Sequence, residues 1–415
     1  MNKTILFKLL LGLSCVALVV TIIILVTGQI TLAGGPLLVC FVTLALYTRG
    51  YERWQGHTFT IWVFTFLAEA MFFPWWFTGW GHDPGKNTWA FNTKVLVLPL
   101  LQLIMFGMGT KLNLSDFVRE LKKPKGILVG VILVFSIMPL AGYFLAKTLP
   151  FNDAELGLGV ILIGSCPGGM ASNVMTFLAN GNLALSVSIT TGATLLSPII
   201  TPVLVKFYGG QLVHVPLSSM FLRIIMMIVL PITAGVVVNW VHHIERKRSK
   251  FQILGLFIVA LICLGFFVPD FRVGIIGISF FAVITALMSK ALLDRMLPML
   301  SMGAILLFVT IVVAHYRDDL LEAGLSLILS AIIHNAIGYG LGYWISRSLR
   351  FSERDCRTIA IEVGLKNGGM GTLLAMNVLE SPKASLAPVI FGKWMNISGS
   401  ALANYWRQRP VEEDT

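Results

Sequence analysis

Apolar residues run along this chain in blocks close to the ~20 residues that a helix needs to cross a bilayer, and polar residues gather between the blocks. Fourteen blocks are read, near 5–26, 33–48, 58–78, 93–110, 126–147, 156–180, 184–206, 217–240, 251–268, 273–290, 297–315, 323–346, 356–379 and 384–404. The connections are short. Each block is expected to be a helix, since a backbone inside lipid must satisfy its own hydrogen bonds. The pattern therefore predicts an all-α polytopic membrane protein. Two blocks stand apart. GSCPGGMASNVMTFLAN at 164–180 carries Pro167, Gly168 and Gly169, and GLKNGGMGTLLAMNVLE at 364–380 carries Gly364, Gly368, Gly369 and Gly371. Both read Gly-Gly-Met in register, at 168–170 and 368–370, and both are expected to be interrupted helices.

Composition removes the soluble classes: 56% of the 415 residues are hydrophobic and 12% are charged, where a soluble domain carries about twice that charge. The net charge of +11 suggests nucleic acid at first sight. Its distribution points elsewhere, so no nucleic-acid partner is expected. Basic residues concentrate in alternate loops: Arg49 and Arg53; Lys111, Arg119, Lys122, Lys123 and Lys125; Arg246, Lys247, Arg248 and Lys250; Arg347, Arg350, Arg354 and Arg357; Arg407 and Arg409. Cytoplasmic loops carry this excess. An even number of spans then leaves both termini in the cytoplasm, in a multi-pass protein of the inner (plasma) membrane. The five cysteines have no paired spacing, which argues against disulfides and metal centres. Met1–Thr4 lacks a signal-peptide pattern, so the first block is expected to stay as an anchor.

With this orientation the block at 164–180 runs inward and the block at 364–380 runs outward, as in inverted repeats. Matched broken segments in two halves point to a transporter site. Half-helix N-termini attract anions, and freed carbonyls attract cations. The plainer reading of the glycines is close helix packing; two matched copies weigh against it. Ionisable residues inside the blocks are few: Glu69, Glu362, Lys366 and Lys393. A buried charge is costly unless it pairs or binds an ion. Glu362 and Lys366 stand four apart and pair across one helical turn if the helix is continuous. Sodium, a hard cation, takes oxygen ligands. Ser172 and Asn173 lie at the first break, and Ser186 and Thr190 share a face of the next helix. Hydroxyls that merely join helices are the alternative for the latter pair.

At these residues the chain resembles the bile acid:sodium symporter family. The likeness covers about 58–250 and 294–407, through GTKL at 109–112, PGGMASNV at 167–174, SVSIT and TLLSPIITP within 186–202, HNAIGYGLGY at 334–343, EVGLKNGG at 362–369 and NISGSALANYW at 396–406. The resemblance implies two inverted five-helix repeats, forming a panel and a core domain, with broken helices crossing in the core. Residues 58–215 would be the first repeat. Residues 216–407 would be the second, with an inserted helix pair near 251–290. Residues 1–57 add an N-terminal pair, and 408–415 form a cytoplasmic tail. A first sodium site would comprise Ser172, Asn173, Ser186, Thr190 and Glu362. The second site departs from the family pattern. Val134 and Lys366 stand where two glutamines are usual, and Met395 stands where a histidine is common.

The function expected is secondary active import of a small organic anion by alternating access, with Na+ as coupling ion and the Lys366 ammonium in place of a second sodium. Asn367, Asn396, Lys393 and Glu69 are candidates for the substrate or coupling path. No catalytic residues and no cofactor beyond Na+ are expected, because the blocks hold no paired carboxylates and no His-x-x-His spacing. The alternatives are proton coupling through Lys366 and Glu362, and a membrane receptor that transports nothing.

Overall fold

Each of the fourteen apolar blocks contains helix in the computed structural model. The structure describes residues 3–27, 29–50, 55–83, 88–111, 124–151, 153–210, 215–244, 252–261, 272–409 and 411. Much of the basic loop 111–125, the basic run 245–250, Arg53 and the last four residues lie outside the described residues. In chain order the helices are α1 (Lys3–Val26), α2 (Ile30–Arg49), α3 (Gln55–Phe72), the single turn α4 (Trp75–Thr78) and α5 (Val97–Lys111). Then come α6 (Pro124–Thr148), α7 (Ala154–Ser165), α8 (Met170–Leu178), α9 (Leu183–Gly209), α10 (Leu217–Ile224) and α11 (Leu230–His243). They are followed by α12 (Gln252–Leu261), α13 (Arg272–Leu287), α14 (Lys290–His315) and α15 (Arg317–Ser348). The chain closes with α16 (Glu353–Gly364), α17 (Gly368–Asn377) and α18 (Pro382–Arg407). Among the described residues, seven helical stretches are long and apolar enough to cross a membrane unaided. The protein is a multi-pass, predominantly helical membrane protein. One short antiparallel ribbon interrupts the pattern between α4 and α5: β1 (Gly79–Asp83) pairs with β2 (Thr88–Asn92), Trp80 opposite Phe91 and His82 opposite Trp89.

The chain divides into two units, Met1–Leu100 with Met302–Asp318, and Leu101–Ser301 with Asp319–Thr415. In the first, α1 and α2 are joined by Ser14, whose hydroxyl donates to the Cys40 carbonyl at 3.0 Å. Gly34 lets α2 approach α3: a methyl there would stand 2.5 Å from Phe72 Cβ.

The second unit holds two apolar cores. One gathers Phe106, Ala234, Val238, Leu261, Ile275 and Leu297, so the inserted pair α12 and α13 packs on α11 and α14. The other forms among α6, α9, α16 and α18, with Val134, Met138, Ile189, Ile361 and Phe391 at its centre. Opposite faces of α6 and α9 expose Phe144, Ile199, Val203 and Phe207, an apolar surface that suits lipid.

Proline shapes this second core, since each one deletes a backbone donor. In α9, Pro198 leaves the Thr194 carbonyl without its helical partner, and the Ser197 hydroxyl takes it at 2.7 Å. A wide π-type turn over Ile225–Val229 joins α10 to α11 just before Pro231. Such turns absorb a local mismatch of the hydrogen-bond ladder.

Candidate functional site

Both expected interruptions are present. The first block breaks after Ser165, with Cys166 extended (φ −75°, ψ 153°) and Gly169 capping α8. The second breaks after Gly364, with Leu365 extended (φ −98°, ψ 125°). The breaks touch each other: the Asn367 backbone N–H donates to the Pro167 carbonyl at 2.9 Å. A methyl on Gly169 would stand 3.1 Å from the Lys366 carbonyl. Glycine there is explained by this approach of two backbones.

Breaking a helix inside a membrane frees carbonyls that need donors. Thr201 of α9 donates to Ser165 O at 2.8 Å. Asn335 of α15 donates its amide to Gly364 O at 2.8 Å, and Ser398 of α18 fixes that amide by donating to its oxygen at 2.5 Å. The Asn367 side chain, a candidate for substrate contact, caps α17 by accepting from Met370 N–H at 3.0 Å. His334 beside Asn335 bonds Met138 O through Nε2 at 2.7 Å. Among the described residues, three buried side-chain atoms have no partner: Thr176 Oγ1, Ser188 Oγ and His334 Nδ1.

The five residues expected to form a sodium site converge. Glu362 is fully buried. Its Oε1 accepts from Ser186 at 2.5 Å, and its Oε2 accepts from Thr190 at 2.7 Å. Ser186 is also 2.8 Å from Asn173 Oδ1, and Ser172 Oγ is 3.4 Å from Thr190 Oγ1. A hydroxyl has one proton, so Ser186 serves either the carboxylate or the amide at any moment. Gly168 makes room for this cluster, because a methyl there would stand 2.8 Å from Glu362 Oε2. One carboxylate among four neutral side-chain oxygens is a donor set suited to a hard monovalent cation.

Lys366 does not pair with Glu362 among the described ion pairs; the break turns the two side chains onto different partners. Lys366 is fully buried, and its ammonium donates to the backbone carbonyl of Val134 at 2.7 Å. Its own N–H donates to Met395 Sδ at 3.4 Å. Thus Lys366 touches both Val134, through its ammonium, and Met395, through its backbone N–H.

The remaining candidates are less engaged. Lys393 and Asn396 lie part-buried on α18, and Glu69 lies part-buried on α3 in the other unit. Sequence reading passed over two basic anchors. Arg223, inside α10, donates to Asn377 O at the end of α17. Arg357, only 4% exposed, bonds Glu353 at 2.9 Å and the carbonyls of Ala179, Trp406 and Arg409. Arg357 was counted among loop charges; its position one turn inside a block was the signal available.

Comparison with known proteins agrees with this architecture. Residues 98–273 match the profile of the sodium bile acid symporter family. An uncharacterized sodium-dependent transporter of Bacillus subtilis, YocS, is 36% identical over 361 residues, 87% of this chain and 94% of that one. The probable chloroplastic sodium/metabolite cotransporter BASS2 of rice, Oryza sativa subsp. japonica, is 29% identical over 79% of this chain and 67% of its own length. The human ileal sodium/bile acid cotransporter is 28% identical over 65% of each chain.

Proposed function

The chain belongs to the sodium bile acid symporter family, and from that premise we propose that it imports a small organic anion across the plasma membrane together with Na+. The observation that carries this reading is the Glu362 cluster: a buried carboxylate held by Ser186 and Thr190, with Ser172 and Asn173 beside it. Names of the relatives support the ion; they speak of sodium-dependent transport and sodium/metabolite cotransport. Lys366 replaces a second sodium. Its ammonium offers one fixed positive charge beside Glu362, so one transported ion completes a site that otherwise takes two. With Glu362 ionised, one Na+ and one ammonium leave a net single positive charge, which an anionic substrate neutralises. Lys393, a part-buried cation on α18, is a candidate partner for that anion's carboxylate within the same unit.

The contact between the two broken blocks supports alternating access. The two broken blocks cross at Pro167 and Asn367, and inverted repeats rocking about such a crossing expose a site to each side in turn. The deciding experiment is uptake into proteoliposomes. Organic acids are first screened by thermal shift with and without Na+, and each hit is then tested for accumulation. Accumulation driven by an inward Na+ gradient supports symport. Accumulation driven by an inward proton gradient without Na+ assigns coupling to Lys366 and Glu362 instead, and binding without transport assigns a receptor.

A further inference from the structure

The two broken blocks are matched at their far ends as well as at their breaks. At the start of α7 stand Asp153 and Glu155, fifteen and thirteen residues before Gly168; at the start of α16 stand Glu353 and Asp355, fifteen and thirteen before Gly368. The turns that follow α8 and α17 are matched too. Asn180 and Glu380, each twelve residues past the same glycines, take left-handed backbone with φ 56° and 49°. A non-glycine residue rarely adopts that conformation unless its surroundings hold it there. Just beyond stand Asn182 and Ser381, the caps of α9 and α18. They accept from Leu185 N–H at 3.1 Å and from Ala384 N–H at 3.2 Å.

Each cap is gripped by the acidic turn of the other block. The Asn182 amide donates to Asp355 Oδ1 at 2.9 Å, and the Ser381 hydroxyl donates to Glu155 Oε2 at 2.5 Å. Each grip is doubled. Asn182 N–H donates to Thr358 Oγ1 at 2.8 Å, and the Lys383 ammonium donates to Asp153 Oδ2 at 2.8 Å. Both gripping carboxylates are part-buried, and hydrogen bonds to an ionised acceptor are the strong ones. Two clasps of like chemistry thus tie α9 to α16 and α18 to α7. What the tied helices carry differs. Ser186 and Thr190 lie one and two turns past Asn182 on α9, and Glu362 lies about two turns past Asp355 on α16. The α9–α16 clasp therefore joins the helices whose side chains meet at the Glu362 carboxylate, at 2.5 and 2.7 Å. The α18–α7 clasp joins helices that bear none of the five residues of the sodium site.

We propose that Asn182 and Asp355 are positioning residues for the sodium site: their hydrogen bond sets the register of α9 on α16, and so the distance of Ser186 and Thr190 from Glu362. The proposal rests on the sodium-coupled reading above and extends it to two residues that touch no ion. A slip of ~1 Å between the two helices lengthens both contacts to Glu362 beyond good hydrogen-bond geometry. The helices themselves stay intact, because the Asn182 cap is independent of Asp355.

The test uses the purified full-length protein with Na+ itself as probe and choline as the blank. Na+-dependent thermal stabilisation gives the half-saturating concentration, and the melting temperature in choline gives stability. Asp355→Ala is expected to raise half-saturation about fivefold or more, the worth of one net hydrogen bond. Asn182→Ser keeps the cap but is too short for the clasp, and is expected to do the same. Glu155→Ala opens the other clasp. It is expected to lower the melting temperature in choline and to keep half-saturation within about twofold, as a site without shared partners does. Asn182→Asp combined with Asp355→Asn exchanges donor and acceptor while keeping the charge and the cap, and is expected to restore half-saturation to within about twofold of the unmodified protein. Unchanged half-saturation in Asp355→Ala and Asn182→Ser overturns the proposal. So does an equal rise in Glu155→Ala, which assigns the effect to general loosening, or an exchanged pair that recovers nothing. An unmodified protein with no saturable Na+ stabilisation overturns the sodium reading itself, and with it the role given to this clasp.

Discussion

Glu362 accepts from two neighbouring hydroxyls, so the loss of its charge and the loss of one hydroxyl have separable effects. Glu362→Ala removes the carboxylate from the proposed sodium site, where loss of a buried charged ligand costs several kcal/mol. Na+-dependent stabilisation is expected to vanish in a melting assay against choline. Thr190→Ala and Asn173→Ala are expected to weaken it and leave it measurable. Full Na+ stabilisation in the Glu362 variant would reject the assignment. Lys366 makes a sharper prediction. One transported ion at a site completed by an ammonium gives a Na+ Hill coefficient near ~1. Lys366→Gln alone is expected to transport poorly, because the apolar side chain of Val134 offers the amide no oxygen ligand beside it. Lys366→Gln with Val134→Gln is expected to raise the coefficient toward ~2, since contacting positions couple. A strongly sigmoidal Na+ curve in the unmodified protein would remove the tethered-ammonium account. At this scale the meeting of these side chains was legible from the breaks and the spacing: Ser186 and Thr190 share a helix face, and Glu362 lies beside a break. The partner of Lys366 was not legible, because a main-chain carbonyl leaves no mark in the sequence.

The broken helices were predictable as elements because Pro and Gly act on the backbone locally. What supports the breaks was less so. Asn335 and Thr201, which take the freed carbonyls of Gly364 and Ser165, come from other helices, 29 and 36 residues away in sequence. Asn335→Leu leaves a buried carbonyl without its donor, which costs about 1–3 kcal/mol. A lower melting temperature is expected in both Na+ and choline, with the stabilisation by Na+ largely retained; an unchanged melting temperature would show the contact to be dispensable. The ends of the helices that meet away from the break can be tested by pH. Asp153, the cap of α7, accepts from Lys383 at 2.8 Å, and that hydrogen bond holds its carboxyl below the usual carboxylate range. A carboxyl depressed on folding adds stability above its unfolded pKa, near ~3.9, and loses it as pH falls through the lowered value. Asp153→Asn is therefore expected to melt below the unmodified protein at neutral pH. The difference should close as pH falls through that lowered value; a gap that persists in acid would mean that the ion pair is not its source. The ribbon of β1 and β2 was read only as a connection, since its Gly-Trp-Gly-His-Asp strand is too short to show alternation.

At the scale of the whole molecule, loop charge carries the prediction. Cysteines placed at Gly209 and Ser249 are expected to label from opposite sides, Gly209 from outside and Ser249 only after the membrane is permeabilised. Outside labelling at Ser249 would invert the topology. The helical, many-span character of the protein was legible because lipid imposes one solution on an apolar backbone. The grouping of helices into units was not, because it depends on contacts between distant blocks. Residues 302–318 join the first hundred residues, a division that follows packing and cuts across α14. Among the described residues α12 and α13 carry no ionisable cluster, and their apolar residues are used against α11 and α14.

The bond from Lys366 to the Val134 carbonyl also bears on how such a site can change over generations. A main-chain oxygen is present whatever residue occupies position 134. If glutamines once stood at both positions, as the family resemblance implies, a lysine could arrive at 366 while the glutamine at 134 remained, and that glutamine would then be free to become valine. The return path would be closed, since a glutamine at 366 facing a valine would regain no ligand. The lysine would then work as a ratchet: one substitution admits the second, and the second bars the way back.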